Sequence, residues 1–208
     1  MPMQPNVNTP ASWAEMVPGA PYPMRAVDLT NAPNDGWRYE IIEGRLLRMP
    51  GSGIKASWIA VRLIYFLMNF IAPRNLGIVT GADGTYDLTR PGDPTETALI
   101  PDAAFVQAGR LPAMNTPAAA QYGKLAPDLV AEVVSPSQGH QEMDDKARLY
   151  LDRGVRLVWT IWPDAQSVDL WRPTSPTAPL ASLGIGESLD GLDVLPGFTL
   201  PISDLFNV

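Results

Sequence analysis

Residues 55–72 constrain the fold of this 208-residue chain more than any other segment. They predict a helix that ends before Pro73, because proline cannot continue a helix. Apolar side chains surround nearly the whole predicted helix, with one stripe through Ile59 and Leu63 and the opposite side carrying Val61. A helix that is apolar on all sides is buried on both sides. We therefore expect a sheet to cover one side and a second copy of the chain, in a homodimer, to cover the other.

The composition excludes several kinds of site. The chain has no cysteine and one histidine, so it cannot build a disulfide framework, a thiolate metal site, a cysteine nucleophile or a zinc site with several histidines. The formal net charge of −7 argues against a general nucleic-acid coat. Residues 37–74, however, carry six basic and two acidic side chains, a local charge of +4. We expect any nucleic-acid contact to lie in this segment.

Neither a secretory signal nor a membrane span is expected. The N-terminus lacks a basic region followed by an apolar one. The longest apolar stretch, residues 58–72, is interrupted by Arg62 and Asn69 and is shorter than the ~20 residues that a span needs. These features predict a cytoplasmic protein that makes no membrane contact.

The pattern of turns and apolar runs predicts an irregular arm followed by one sheet domain. Residues 1–36 contain seven prolines and no sustained apolar period. A hairpin is predicted at 38–49 across Glu43 and Gly44, and a second helix at 138–153 before Gly154. Further strands are expected at 77–81, 85–88, 103–106, 129–134, 155–162 and 168–171. Strands with two intervening helices indicate an α/β or α+β domain over residues 37–208.

Glu132 lies in the middle of an apolar run, Leu-Val-Ala-Glu-Val-Val at 129–134. An ionised carboxylate in a buried strand is costly unless it has a cation or a hydrogen-bond donor. Either Glu132 lies at the strand end and pairs with an arginine or caps a turn, or it belongs to a functional site.

Two aspartates follow prolines directly before apolar runs. Asp128 precedes Glu132 by four residues, about 13 Å along a strand, which is too far to share one metal ion. Asp102 heads a different strand. If the two strands are neighbours at ~4.8 Å, Asp102 and Glu132 can converge on one ion through their oxygens. The alternative is that Asp102 is an ordinary turn residue after Pro101.

Lys146 shares a face of the second predicted helix with Met143, Leu149 and Tyr150. Its stem could simply run along the apolar surface to reach water. Alternatively, Lys146 lies at the level of Glu132. The strand continues for ~10 Å beyond Glu132, and if the helix runs back along the sheet, its eight residues up to Lys146 cover ~12 Å in the opposite direction. Glu40 and Glu43, beside the first strand, could add a metal ligand or end a turn.

Several motifs resemble one known family. They are Arg-Tyr-Glu-Ile-Ile-Glu-Gly-Arg-Leu at 38–46, Pro-Asp at 101–102, Pro-Asp-Leu-Val-Ala-Glu-Val-Val-Ser-Pro-Ser at 127–137, and then Lys146 and Tyr150. The chain resembles the Uma-type family of restriction-endonuclease-like proteins, a branch of the PD-(D/E)XK nuclease superfamily. The resemblance implies a mixed central sheet flanked by helices, the restriction-endonuclease-like form of an α/β or α+β fold.

The resemblance also implies roles for particular residues. Asp102 and Glu132 correspond to the metal-binding acids, and Glu43 to a third acid near the first strand. The motif lysine normally follows the glutamate by two residues, where this chain has Val134; Lys146 resembles a lysine that has migrated to the helix. The histidine often found early in the first long helix is absent here.

Together these observations predict a metal-dependent endonuclease that hydrolyses DNA. Asp102, Glu132 and the Val133 carbonyl would hold Mg²⁺ or Mn²⁺, with Glu43 as a further ligand, and Lys146 would assist catalysis. The alternative is a catalytically inactive homodimeric binding module that has kept the nuclease fold, since a fold does not fix a function.

Overall fold

The structure is a computed structural model, and it describes residues 14–111 and 123–207. Residues 1–13 of the predicted arm therefore lie outside the described residues. The strands are β1 (Glu15–Met16), β2 (Trp37–Ile42), β3 (Arg45–Pro50), β4 (Gly77–Gly81), β5 (Tyr86–Asp87), β6 (Ala98–Leu99), β7 (Ala103–Gln107), β8 (Leu129–Val133), β9 (Leu157–Trp162), β10 (Ser167–Trp171), β11 (Ala181–Leu183), β12 (Ser188–Asp190) and β13 (Thr199–Pro201). The α-helices are α1 (Ile54–Ile71), α2 (His140–Asp152) and α3 (Ile202–Phe206).

The large sheet forms the centre of the fold, with strand order β11-β10-β9-β8-β7-β4. Strands β8 and β9 are parallel, whereas the other neighbours are antiparallel, so the sheet is mixed. Helix α2 forms the crossover between the two parallel strands, the usual way to connect them. The predicted fold class and the two predicted helices are confirmed.

The two faces of the large sheet are covered by different helices. On one face Ala131 and Val133 pack with Ile59 and Leu63 of α1. On the other, Val130 packs with Tyr150 of α2. Because side chains alternate along a strand, Glu132 belongs to the same face as Val130 and points toward α2.

A small antiparallel sheet, with strand order β1-β3-β2-β6-β5, lies beside the large one. Its β2–β3 hairpin turns at Glu43 and Gly44, which have φ values of 50° and 73°, as a two-residue hairpin turn of type I′ requires. The predicted hairpin is confirmed. The described part of the arm is joined to this sheet, because β1 pairs with β3 and Ala26 packs in the same core cluster as Tyr39.

Helix α1 is covered by its own chain on one side. Ile59, Leu63 and Leu67 are fully buried, whereas Val61 and Tyr65 are each 61% exposed. With the short helical turn that follows, Ile54–Arg74 is long and apolar enough, by length and composition, to cross a membrane, and it is the one such helix in the described residues. The apolar stretch counted in the sequence covers residues 58–72, whereas the helical segment of the structure runs from Ile54 to Arg74 and is therefore longer. Its inner face packs on the large sheet, as that of a core helix does.

Candidate active site

Glu132 lies in β8 and its carboxylate is enclosed by side chains of α2. The Tyr150 hydroxyl donates a hydrogen bond of 2.6 Å to Oε1, and the ammonium of Lys146 lies 3.0 Å from the same oxygen. Residues 146 and 150 are one helical turn apart and therefore share a face of α2. The contact between Lys146 and Glu132 agrees with the spacing of the sequence.

A second buried carboxylate, Glu40 of β2, contacts the same lysine. Its Oε1 lies 3.3 Å from Lys146 Nζ and accepts a hydrogen bond of 2.9 Å from the Ile100 N–H. Its other oxygen is buried without a hydrogen-bond partner. Glu40, Glu132 and Lys146 are 0%, 6% and 3% exposed. The lysine is thus enclosed between two carboxylates contributed by different sheets.

Asp102 lies directly before β7 and faces the end of β8. Its Oδ2 accepts a hydrogen bond of 2.9 Å from the Val133 N–H, and its Oδ1 lies 3.0 Å from Arg38 Nη1. The N–H and C=O of one strand residue point toward the same neighbouring strand. The Val133 carbonyl is therefore directed to the side where Asp102 lies, past the end of the β7 pairing.

The structure brings Glu40, and not Glu43, to this cluster: Glu40 contacts Lys146, whereas Glu43 lies beside Arg153. Glu43 lies in the hairpin turn, and its carboxylate is 3.7 Å from Arg153. Arg153 follows Lys146 by seven positions, which corresponds to about 10 Å along the helix, so Glu43 lies at a distance from the buried lysine. Glu40 carries the same sequence signal as Glu132, an acid inside an apolar strand.

Asp128, the other aspartate that follows a proline, has a structural role at the start of β8. It is 1% exposed, accepts a hydrogen bond of 2.9 Å from the Gln107 N–H and lies 2.7 Å from Arg110. It therefore stabilises the start of the strand.

Three of the predicted site residues line one cavity. Asp102, Glu132 and Lys146 line a hollow of about 290 Å³, together with Arg38 and Arg48. A second hollow of about 710 Å³ lies alongside and shares Arg38 and Asp102 with the first. The acids are thus accessible to a ligand although each is almost fully buried.

Burial and charge together set the protonation of the cluster. Burial raises the pKa of Glu132 to about 7, helped by the charges of Asp102 and Glu40 and opposed by Lys146. Burial alone would lower the pKa of Lys146, but Glu132 and Glu40 outweigh it and the pKa is raised, so the ammonium keeps its charge. The cluster consists of the carboxylates of Glu40, Asp102 and Glu132 and the cations of Arg38 and Lys146. With every group ionised, its formal charge is −1.

We expect the stability of the metal-free protein to fall as pH rises from 4.5, the usual pKa of Glu132, to about 7, its pKa in the folded protein. In this interval the folded state holds a proton that the unfolded chain has lost, so deprotonation favours unfolding. The decrease should be on the order of 1–3 kcal/mol and complete above about pH 7. Urea denaturation in EDTA gives the free energy of unfolding of the wild type and of Glu132→Gln at each pH. The change with pH in the difference between the two free energies measures this decrease. A difference that does not change with pH would contradict the assignment.

The donors at the cavity are suited to a hard divalent cation. Within residues 14–111 and 123–207, no three acidic or histidine side chains are grouped closely enough to form a complete metal site. Two carboxylates and the Val133 carbonyl nevertheless face the same space, and such oxygen ligands are the ones that Mg²⁺ and Mn²⁺ prefer. The formal charge of −1 and the mutual repulsion of the acids favour a cation there.

Comparisons with known proteins agree with this architecture. Residues 26–203 match the Uma2 family, described as "Putative restriction endonuclease". A crystal structure of "a putative nuclease belonging to DUF820" from Anabaena variabilis ATCC 29413 is similar, with a TM-score of 0.70 and 20% identity over 88% of this chain and 98% of that chain. No curated protein matches the sequence.

Proposed function

This chain belongs to the Uma2 family, and from that membership and the geometry of the cavity we propose that it is a metal-dependent endonuclease that hydrolyses DNA. The observation that carries the proposal is the position of Lys146. A buried ammonium lies 3.0 Å from Glu132 and 3.3 Å from Glu40, on a cavity that Asp102 also lines. Strongly perturbed, buried titratable groups that border a cavity are typical of active sites.

Asp102, Glu132 and the Val133 carbonyl are the groups that would hold Mg²⁺ or Mn²⁺. When bound, such an ion polarises a phosphate oxygen and lowers the pKa of a water molecule. Asp102 is positioned for this by the Val133 N–H, which fixes one of its oxygens. Glu132 is held by Tyr150, and burial and the nearby Glu132 raise the pKa of Tyr150 well above its usual value. The phenol therefore stays a hydrogen-bond donor.

Lys146 supplies positive charge where the reaction builds negative charge. Its compact ammonium sits on a flexible stem and can orient a water molecule or neutralise a phosphate oxygen. Glu40 also contacts the lysine and is itself held by the Ile100 N–H. Holding such groups in place before substrate binds is the main source of electrostatic catalysis.

The basic side chains at the cavity support a polyanionic substrate. Arg38 and Arg48 line it, and Arg48 also stacks over the Trp37 ring at 4.6 Å. Both arginines belong to the basic segment of residues 37–74. Phosphate contacts of this kind release condensed counterions, so binding of DNA should weaken steeply with salt.

The test is cleavage of supercoiled plasmid DNA by the wild type in Mg²⁺, in Mn²⁺ and in EDTA. We expect nicked and linear products with either metal and none in EDTA. If the protein binds Mn²⁺ and duplex DNA but cleaves nothing in either metal, the inactive binding module replaces the nuclease as the better account.

A second copy of the chain is the proposed partner of the outer face of α1. Val61, Tyr65 and Met68 are exposed at spacings of four and three residues, which places them on one face of the helix. In a twofold dimer such a stripe packs against itself. We expect sedimentation at micromolar concentration to give twice the 22.6 kDa mass of the chain, and Tyr65→Glu to give the monomer. A wild type that sediments only as the monomer would contradict the dimer.

A further inference from the structure

Arg38 forms an ion pair with the Oδ1 atom of Asp102. It reaches the cavity from β2, two residues before Glu40 and on the same face of the strand. Its Nη1 lies 3.0 Å from Asp102 Oδ1, and its Nη2 donates a hydrogen bond of 3.0 Å to the Ile100 carbonyl. The same Nη1 lies 3.4 Å from the Ser52 hydroxyl. The guanidinium is thus anchored by one nitrogen, and the other has two acceptors within reach.

The two cations that contact the acids of the cavity differ in their freedom to move. The Lys146 side chain is 3% exposed, whereas that of Arg38 is 26% exposed. Arg38 also borders both hollows, so open space adjoins its side chain. An arginine stays charged at every accessible pH, so it cannot relieve a charge conflict by losing a proton and can do so only by moving.

We propose that Arg38 is a displaceable cation. It pairs with Asp102 in the metal-free protein and leaves that carboxylate when a divalent cation binds there. It then contacts a phosphate oxygen of the substrate. This inference rests on the proposed function. While Nη2 stays on the Ile100 carbonyl, Nη1 leaves Asp102 Oδ1 and keeps the Ser52 hydroxyl, now 3.4 Å away, as an acceptor. The fork of the guanidinium matches a phosphate, which also accepts two hydrogen bonds.

The charge of the cavity gives this role a distinctive signature. With Arg38 present the cluster has a formal charge of −1, and a divalent cation brings it to +1, which complements one phosphodiester. Without Arg38 the cluster has a charge of −2, and Asp102 has lost its competing partner. Removing Arg38 should therefore strengthen metal binding and weaken DNA binding. An arginine that acted only through its charge at the cavity would strengthen metal binding on removal no more than Arg48, which lines the same cavity.

The test is calorimetric titration of Mn²⁺ into the wild type, Arg38→Gln and Arg48→Gln at the same pH. We expect Arg38→Gln to bind Mn²⁺ about tenfold more tightly, within the usual range of coupling between two sites. Arg48 lines the same cavity but pairs with Glu15 instead of Asp102, so Arg48→Gln should change the Mn²⁺ affinity by less than about twofold. Arg38→Gln should also bind a short DNA duplex about tenfold more weakly in Ca²⁺.

The possible outcomes separate this inference from the proposed function. Unchanged or weaker Mn²⁺ binding by Arg38→Gln, equal strengthening in Arg48→Gln, or unchanged DNA affinity would overturn the role of Arg38 and leave the metal site intact. Absence of Mn²⁺ binding in all three proteins would overturn the proposed function itself. If Arg38→Gln does not fold, Arg38→Lys replaces it. That variant keeps the charge but loses the fork, so its Mn²⁺ affinity should be higher than that of the wild type by a smaller factor.

Discussion

Replacing Glu132 with glutamine is expected to lower the rate of DNA cleavage on the order of a thousandfold. The glutamine keeps the size of the side chain and can still accept the hydrogen bond that Tyr150 gives to Glu132, but it carries no charge with which to hold a cation. A metal ion supplies several kcal/mol of transition-state stabilisation, and each 1.36 kcal/mol corresponds to a factor of about ten. The initial rate of plasmid nicking in Mg²⁺ measures the loss.

Glu15→Gln is the matched control for this experiment. Glu15 lines the same cavity, but its side chain is 66% exposed and pairs with Arg48. An exposed ion pair contributes little, so the control should cleave within about threefold of the wild-type rate. Cleavage by Glu132→Gln at the rate of the control would contradict the assignment of Glu132.

Replacing Lys146 with methionine is expected to destabilise the metal-free protein by about 3–5 kcal/mol, the usual cost of removing one partner of a buried ion pair. The variant leaves Glu40 and Glu132 buried without the ammonium that lies 3.3 Å and 3.0 Å from them. For a chain of this length the midpoint of thermal unfolding should fall by about 10 °C. Calorimetry in EDTA measures the change.

Two further variants distinguish this mechanism from a general loss of packing. Lys55→Met removes an exposed lysine that pairs with Asp164, and we expect it to cost less than about 1 kcal/mol. The double variant Lys146→Met with Glu40→Gln removes one of the uncompensated charges and should regain part of the lost stability. If the double variant is less stable than Lys146→Met alone, the destabilisation does not come from unpaired carboxylates.

The sequence predicts those site residues that can be recognised from their neighbours in the chain or from their spacing along it. Glu132 interrupts an apolar strand, Asp102 heads another, and Lys146 lies at a chain distance that matches the length of a strand and a helix. Glu40 carries the same local signal as Glu132, but the choice between Glu40 and Glu43 depends on where the hairpin turns. One residue of difference in the turn moves a side chain to the other face of the strand.

Arg38 could not be predicted as a site residue, because its role depends on contacts between segments far apart in the chain. Its partners are Asp102 and the Ile100 carbonyl, and both come from the connection into the large sheet. The same limit applies to the fold. The local hairpin β2–β3 and the strand β5 are predicted, whereas β6 has two residues and pairs with β2, which lies far from it in the chain.

The outer face of α1 shows what an apolar pattern can and cannot predict. The pattern indicates that both sides of the helix avoid water, and the inner side does so by packing on the large sheet. It does not say what covers Val61 and Tyr65, because a partner chain leaves no separate signal in the sequence. Their exposure in the isolated chain is the reason for proposing a dimer.

Anomalous diffraction from a crystal soaked in Mn²⁺ shows whether Asp102 and Glu132 hold one divalent cation. We expect a single strong anomalous peak within about 2.0–2.6 Å of a carboxylate oxygen of each residue and of the Val133 carbonyl, with the Arg38 guanidinium displaced from Asp102. Absence of any peak between the two carboxylates at a saturating Mn²⁺ concentration would contradict it.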